Sequence, residues 1–230
     1  MQTPAMIGAA MALRGVLESS DQPFEIHVIG TPSEESLDGG KNEMAAHGGF
    51  DHIDVAFMVH GSTLTQLETP SLALIEMDVE FHGKTAHAGI APYAGRSAVD
   101  AVTMLQTGLG LMRNHLKDSS RVSNIVLAGG TAVNSVPDFA KVKVEIRHSS
   151  MAYLESVEQW TREIAQAAAM ATQTQVQITP VAHIYNTTIN DAMGALLMEC
   201  AEKFACDGIA PPRKDCGSTD FGAVTHRLPS

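Results

Sequence analysis

LALIEMDVEFHG, at residues 72–83, alternates between apolar and polar side chains. Ile75, Met77, Val79 and Phe81 recur at every second position, with acidic residues between them. Period-two alternation is typical of a strand with one buried face and one face toward water. The stretch therefore predicts a strand of a half-exposed sheet that helices cover on one side only.

The residues that follow alternate between helical and strand patterns up to residue 182. Two segments carry apolar residues at helical spacing, one near 98–112 and one near 154–171. Strand patterns lie around them, in VSNIVLAGG (122–130), KVKVEIRHS (141–149) and TQVQITP (174–180). The order is β-α-β-β-α-β, the ferredoxin-like split motif. We therefore predict a separate ferredoxin-like domain over residues 72–182.

Residues 1–71 and 183–230 follow a different pattern. PFEIHVIG (23–30) and DVAFMVHG (54–61) have the composition of buried strands, and a helical segment precedes each. Helix, strand, helix, strand is typical of an open α/β sheet, whose ligands lie at the carboxyl ends of the strands. The predicted fold class is thus α/β, an open sheet domain with the ferredoxin-like domain inserted. One more helix is predicted near 191–204.

Composition excludes several classes of partner. The 230 residues carry a formal net charge of −11, which disfavours nucleic acid and anionic membrane surfaces as partners. No uninterrupted apolar run is long enough to predict a membrane span. The three cysteines have no CxxC spacing, which indicates free thiols in a reducing compartment and predicts a cytoplasmic protein.

Acidic residues and a histidine follow the two predicted buried strands. GTPSEE (30–35) ends in Glu34 and Glu35, and FMVHG (57–61) contains His60. One carboxylate of such a pair can bind a metal ion while the other takes a proton from metal-bound water. His60 could be a further metal ligand. Each feature alone is more typical of a solvated loop or a strand-end histidine, because charged groups are mostly at the surface.

Three candidates lie in the predicted ferredoxin-like domain. His87 lies in a Gly/Ala-rich turn, Asn134 in a loop between strands, and Arg147 at the end of a strand. Arg147 could bind a carboxylate bidentately, or it could belong to the solvated face of an edge strand. His87 alone is typical of an exposed turn. GSTDFG (217–222) could bind a ligand, although a turn is the simpler interpretation.

Taken in order, these motifs resemble one family of two-zinc peptidases, the aminoacylase, glutamate-carboxypeptidase and dipeptidase family (peptidase family M20). The most specific match is FHGKTAHAGIAPYAGRSA (81–98), which is similar to the signature of the family's lid, or dimerisation, domain. GTPSEE resembles the P-x-E-E motif, and GGTAVNSVPD (129–138) resembles a substrate-binding lid loop. The details are most similar to the branch of p-aminobenzoyl-glutamate hydrolase B-type subunits and β-alanyl-dipeptide hydrolases.

The resemblance implies a role for each candidate. It makes Glu34 the general base, Glu35 and His60 metal ligands, His87 an oxyanion donor to the partner subunit's site, and Asn134 and Arg147 substrate-binding residues. It implies two zinc ions, which would polarise the carbonyl and activate a water. The implied reaction is hydrolysis of the amide bond of N-acyl amino acids or dipeptides, such as acyl-glutamates. The implied assembly is a homodimer through the lid.

The chain also departs from the family's pattern. The family places a His-x-Asp ligand motif and a bridging aspartate upstream of Glu34, but no His-x-Asp occurs among residues 1–33, and the family's late ligand histidine is absent as well. We therefore expect a chain truncated at both ends, with an incomplete catalytic domain over 1–71 and 183–230. We expect weak or absent zinc binding and no activity by this chain alone. The alternative is a non-catalytic remnant or partner-binding dimerisation subunit.

Overall fold

The computed structural model describes residues 2–34, 39–67, 70–205, 208–212 and 216–230. The helices are α1 (Gln2–Leu17), α2 (Gly40–Ala46), α3 (Ala98–Met112), α4 (Met151–Thr172), α5 (Asp191–Phe204) and α6 (Gly222–Thr225). The strands are β1 (Ala73–His82), β2 (Arg121–Ala128), β3 (Phe139–His148) and β4 (Gln175–Ile184). They form two compact units, the sheet unit (Leu72–Asn186) and the flanking unit (Met1–Ser71 with Thr187–Ser230).

The four strands of the sheet unit pair antiparallel in the order β2-β3-β1-β4. Helix α3 connects β1 to β2 and helix α4 connects β3 to β4, so the predicted ferredoxin-like motif is confirmed. Strand β4 continues to Ile184, beyond the predicted end at Pro180, because it pairs with β1 as far as Leu74. A register shift at Glu76/Met77 accommodates the longer pairing.

The alternation in β1 separates two faces of the sheet. Ile75, Met77, Val79 and Phe81 are each at most 1% exposed, and they pack with buried apolar residues of α3, α4 and β3. Burial of a large apolar side chain contributes roughly 1.5–3 kcal/mol, so this face supplies most of the unit's stability. Leu74 points to the opposite face and is buried in a small separate cluster there.

The opposite face of β1 and β3 carries a ladder of ion pairs. Lys141 Nζ lies 2.7 Å from an Asp78 carboxylate oxygen and 3.0 Å from Glu80, and Lys143 Nζ lies 2.7 Å from Glu76. Hydrogen bonds to Asp78 and Glu80 raise the pKa of Lys141 above its ordinary value. The hydrogen bond to Glu76 likewise raises the pKa of Lys143. Opposite charges across neighbouring strands favour this pairing and its register.

Sequence signals set the ends of the two long helices and their close approach. Ser97 and Ser150 are the N-caps, and their hydroxyls accept from the amides of Asp100 and Tyr153. A Cβ placed on Gly108 would lie 2.5 Å from Ile164 Cγ2. Only a glycine therefore fits at this contact between α3 and α4 without a shift of the neighbour.

The flanking unit differs from its sequence-based prediction. Helices α1, α2 and α5 form where helical patterns lie, but residues 23–30 and 54–61, predicted as buried strands, form no β-ladder in the described chain. Val28, Phe57 and Val59 in these segments are about half exposed. An apolar run predicts burial, but a strand also needs a hydrogen-bonded neighbour, which periodicity alone does not supply. Across the described ranges, no helix is both long and apolar enough to cross a membrane.

Candidate active site

Glu34 is held by a residue that lies far along the chain. The Thr219 hydroxyl donates to Glu34 Oε1 at 3.0 Å, which joins the GTPSEE loop to the GSTDFG motif within the flanking unit. Ser33, just before Glu34, has φ of 60°. This φ lies in the left-handed region, which a residue other than glycine rarely adopts. Glu35, the predicted metal ligand, lies outside the described residues.

Asp220, which follows Thr219 in the chain, forms a buried ion pair with Lys41. Lys41 Nζ lies 2.6 Å from Asp220 Oδ1, and the Lys41 amide donates to Asp220 Oδ2 at 3.0 Å. The Lys41 side chain is 11% exposed and that of Asp220 is 1% exposed. A buried charge needs both a counter-ion and hydrogen bonds, and Asp220 obtains both from one residue. GSTDFG is thus more than the turn that its composition suggests.

His60, the other predicted ligand, is exposed in a segment outside the helices and strands, and its Nδ1 lies 2.9 Å from the Gly61 carbonyl oxygen. Within the ranges that the structure describes, no three His, Cys, Asp or Glu side chains come together to hold a metal ion. The described residues therefore do not by themselves fit a zinc site.

His87 and Asn134 lie on two loops that are joined by backbone hydrogen bonds. The Ala88 amide donates to the Asn134 carbonyl oxygen at 2.9 Å, and His87 forms a β-bridge with Ser135. The Gly89 amide donates to His87 Nδ1 at 3.2 Å. Because Nδ1 accepts, a neutral ring carries its proton on Nε2. The exposed His87 ring thus has a hydrogen-bond donor at Nε2.

Arg147 is already paired within its own strand. Its Nε and a terminal nitrogen donate to the two carboxylate oxygens of Glu145 at 2.7 and 3.0 Å. Strand β3 lies between β2 and β1, so the interpretation of Arg147 as part of an edge strand is wrong. The edge was not evident from composition, because an interior antiparallel strand can also keep one polar face.

The structure brings the predicted residues together in two groups. Glu34 lies with Thr219 in the flanking unit, and His87 lies beside the Asn134 loop in the sheet unit. Sequence reasoning missed Thr219, and it missed the Lys41–Asp220 pair. The available signal was the polar GSTDFG motif, whose position far from Glu34 in the chain concealed the contact.

Comparison with known proteins gives a consistent relationship. Residues 73–173 match the M20 model described as the peptidase dimerisation domain. Xaa-Arg dipeptidase of Mus musculus is 33% identical over 229 residues, which cover 97% of this chain and 53% of that protein. A p-aminobenzoyl-glutamate hydrolase of the B type from Escherichia coli (strain K12) is 32% identical over 195 residues, which cover 82% of this chain and 40% of that protein.

A solved structure shares the fold. The aminobenzoyl-glutamate utilization protein from Klebsiella pneumoniae matches with a TM-score of 0.71 and 26% identity, over 86% of this chain and 52% of that one. The chain thus spans about half the length of the relatives it matches. The lid signature around His87, the ferredoxin-like sheet and these relatives agree, and residues 73–173 of this chain form the peptidase dimerisation domain of family M20.

Proposed function

We propose that this protein hydrolyses the amide bond of N-acyl amino acids or dipeptides, including acyl-glutamate-like substrates. The observation that carries the proposal is the similarity to Xaa-Arg dipeptidase over 97% of the chain. A second relative is named as a hydrolase of p-aminobenzoyl-glutamate. A dipeptide and p-aminobenzoyl-glutamate share an amide bond next to an amino-acid carboxylate, which is the chemical group that the proposal names.

The proposed general base is Glu34. Its carboxylate accepts a hydrogen bond from Thr219, so its orientation is restrained before substrate binds. A restrained carboxylate takes a proton from water more effectively, because less reorganisation is needed in the transition state. Glu34 would then pass the proton to the leaving amine.

The proposed oxyanion donor is His87, acting in the partner subunit's site. The Gly89 amide bonded to Nδ1 favours the tautomer with a proton on Nε2, which is the form that can donate to a developing oxyanion. The neighbouring Asn134 loop is held to the His87 loop by the Ala88 amide. Asn134 is proposed to bind substrate from this loop.

Arg147 is the proposed partner of the substrate carboxylate. Its guanidinium has the fork geometry that binds a carboxylate bidentately, and in this structure it binds Glu145 in that manner. Substrate binding by Arg147 would therefore require exchange of Glu145 for the substrate. This exchange predicts that Glu145→Gln strengthens substrate binding.

Zinc is the proposed metal, with Glu35 and His60 among its ligands. A catalytic zinc usually takes about three protein ligands, so residues besides these two must complete the site. We further propose that residues 72–182 act as the lid and dimerisation domain and that residues 1–71 and 183–230 belong to the catalytic domain. A cytoplasmic location is part of the proposal. Neither Cys200 nor Cys216 forms a disulfide within the described ranges, which is compatible with that location.

Self-association through the sheet unit is the proposed assembly. Strand β2 is an edge of the sheet, and Ile125 and Leu127 on it are 59% and 50% exposed. Met104 and Leu111 on α3 are also exposed. An edge strand with exposed apolar side chains is a ready template for pairing, and a two-fold axis satisfies both edges at once. The match to a peptidase dimerisation domain favours a second copy as the partner.

The test uses the complete gene product that contains residues 1–230, purified with zinc and given p-aminobenzoyl-glutamate and an Xaa-Arg dipeptide. We expect hydrolysis, with turnover lowered on the order of 10²–10⁴-fold by Glu34→Gln. Glu43→Gln, on the exposed side of α2, is the matched control and should retain activity. Full activity of Glu34→Gln would overturn the assigned base. A folded protein that cleaves neither substrate would instead support the non-catalytic dimerisation subunit.

A further inference from the structure

The acidic residue of the GSTDFG motif is buried and takes no part in the proposed chemistry. Both carboxylate oxygens of Asp220 are occupied by Lys41, one by the ammonium group and one by the backbone amide. A carboxylate that binds the side chain and the main chain of one residue fixes that residue in position and orientation. Asp220 therefore fixes the first turn of α2, where Lys41 lies.

The first turn of α2 in turn contacts the loop that carries Glu34. A Cβ added to Gly40 would lie 2.1 Å from the Pro32 carbonyl oxygen, so the backbones of these two residues are in direct contact. Pro32 precedes Glu34 by two residues. Thr219, the neighbour of Asp220, donates to Glu34 Oε1. The GSTDFG motif thus reaches the Glu34 loop by two routes, through the Thr219 hydroxyl and through Lys41.

We propose that Thr219 and the Lys41–Asp220 pair are positioning residues for the Glu34 carboxylate. Thr219 sets the plane of the carboxylate by binding Oε1, which directs Oε2 toward the reacting water. The ion pair holds the backbone from which Glu34 projects. The inference rests on the proposed role of Glu34 as the base, but the geometry it describes can be measured without substrate or metal.

The direct route is tested by NMR on the purified chain with ¹³C-labelled glutamate, in which Glu34→Gln assigns the Glu34 carboxyl resonance. Thr219→Val should shift that resonance, because the hydroxyl donor is lost, and Thr219→Ser should restore it. Thr225→Val is the matched control, since its hydroxyl donates to the Gly222 carbonyl oxygen instead. An unchanged Glu34 resonance in Thr219→Val, or failure of the serine to restore it, would overturn the role of Thr219.

The indirect route is tested with Asp220→Ala and, in case that variant does not fold, with the double variant Lys41→Met/Asp220→Leu, which leaves no unpaired buried charge. In each, amides of the first turn of α2 should exchange with solvent about tenfold faster, or more, than in the wild type. The Glu34 carboxyl resonance should shift as well. Faster exchange with an unmoved Glu34 resonance would show that the pair only stabilises α2, and would overturn its positioning role.

The hydrolysis assay separates this inference from the proposed function. A Glu34 resonance that depends on Thr219, in a protein whose turnover is unaffected by Glu34→Gln, would refute the base but leave the positioning contacts in place. Turnover that requires Glu34 but is unchanged by Thr219→Val would refute the positioning role alone. If both hold, Thr219→Val should lower kcat by about tenfold with KM unchanged, and Thr219→Ser should restore it.

Discussion

Gly108→Ala tests the contact between the two helices of the sheet unit. The new Cβ would lie 2.5 Å from Ile164 Cγ2, so the neighbour must move by about 1 Å to reach ordinary van der Waals distance. Overpacking of this kind costs roughly 1–3 kcal/mol. Replacing a mid-helix glycine by alanine contributes about 0.5–1 kcal/mol in the other direction. We therefore expect a net destabilisation of about 0–2.5 kcal/mol.

Gly110→Ala is the matched control, because it lies on the same helix with nothing within 4 Å of its Cβ. It should stabilise the unit by about 0.5–1 kcal/mol. The difference between the variants isolates the steric cost, about 1–3 kcal/mol. Urea unfolding followed by fluorescence of the single tryptophan, Trp160 on α4, reports on this unit. Both variants are compared at one protein concentration, because association adds to apparent stability.

A double variant tests whether Ile164 Cγ2 is the atom that the new Cβ meets. Ile164→Leu removes the γ2 methyl group, so Gly108→Ala should cost less in that background than in the wild type by about 1 kcal/mol or more. If Gly108→Ala is as stabilising as Gly110→Ala, the helices do not approach as closely as described. The assignment of Gly108 to a steric requirement would then be wrong.

Three further predictions concern the ion pairs, the edge strand β2 and His87. Because the folded-state pKa of Lys141 is raised above its ordinary value of 10.5, its ion pairs stabilise fully below about pH 10.5 and lose their effect as pH rises through the raised pKa. Stability measured by urea unfolding should thus fall at alkaline pH less in Lys141→Met than in the wild type, and equal pH dependence would refute the ladder's contribution. Leu127→Lys on β2 should shift the oligomeric state measured by sedimentation equilibrium from dimer to monomer. Val181→Lys on β4 is the control and should leave the dimer intact. A monomeric wild type at micromolar concentration would contradict the proposed assembly. His87→Ala in the complete gene product should lower turnover on the order of 10²–10³-fold without changing zinc content, and unchanged turnover would reject the oxyanion role.

The candidate site shows where sequence reasoning was insufficient. His87 and Asn134 are candidates because both lie in motifs with a recognisable pattern, and the structure adds that their loops are joined by a backbone hydrogen bond. Thr219 and Asp220 could not be assigned from sequence, because their partners Glu34 and Lys41 lie more than 170 residues away. The strand position of Arg147 makes it a candidate for binding a carboxylate. Its pairing with Glu145, however, depends on side-chain rotamers, which a sequence does not specify.

Local sequence patterns are enough to predict the sheet unit. Strict alternation in β1, helical spacing in α3 and α4, and their order along the chain leave few ways to bury the apolar faces, and the ferredoxin-like motif is one that succeeds. Three features depend on the contacts of the folded chain: which strand forms an edge, where β4 ends, and the lack of a ladder at residues 23–30 and 54–61 within the described ranges. The physical reason is that periodicity reports how one segment meets water or a core, whereas strand order and long-range ion pairs depend on which distant segment lies beside it.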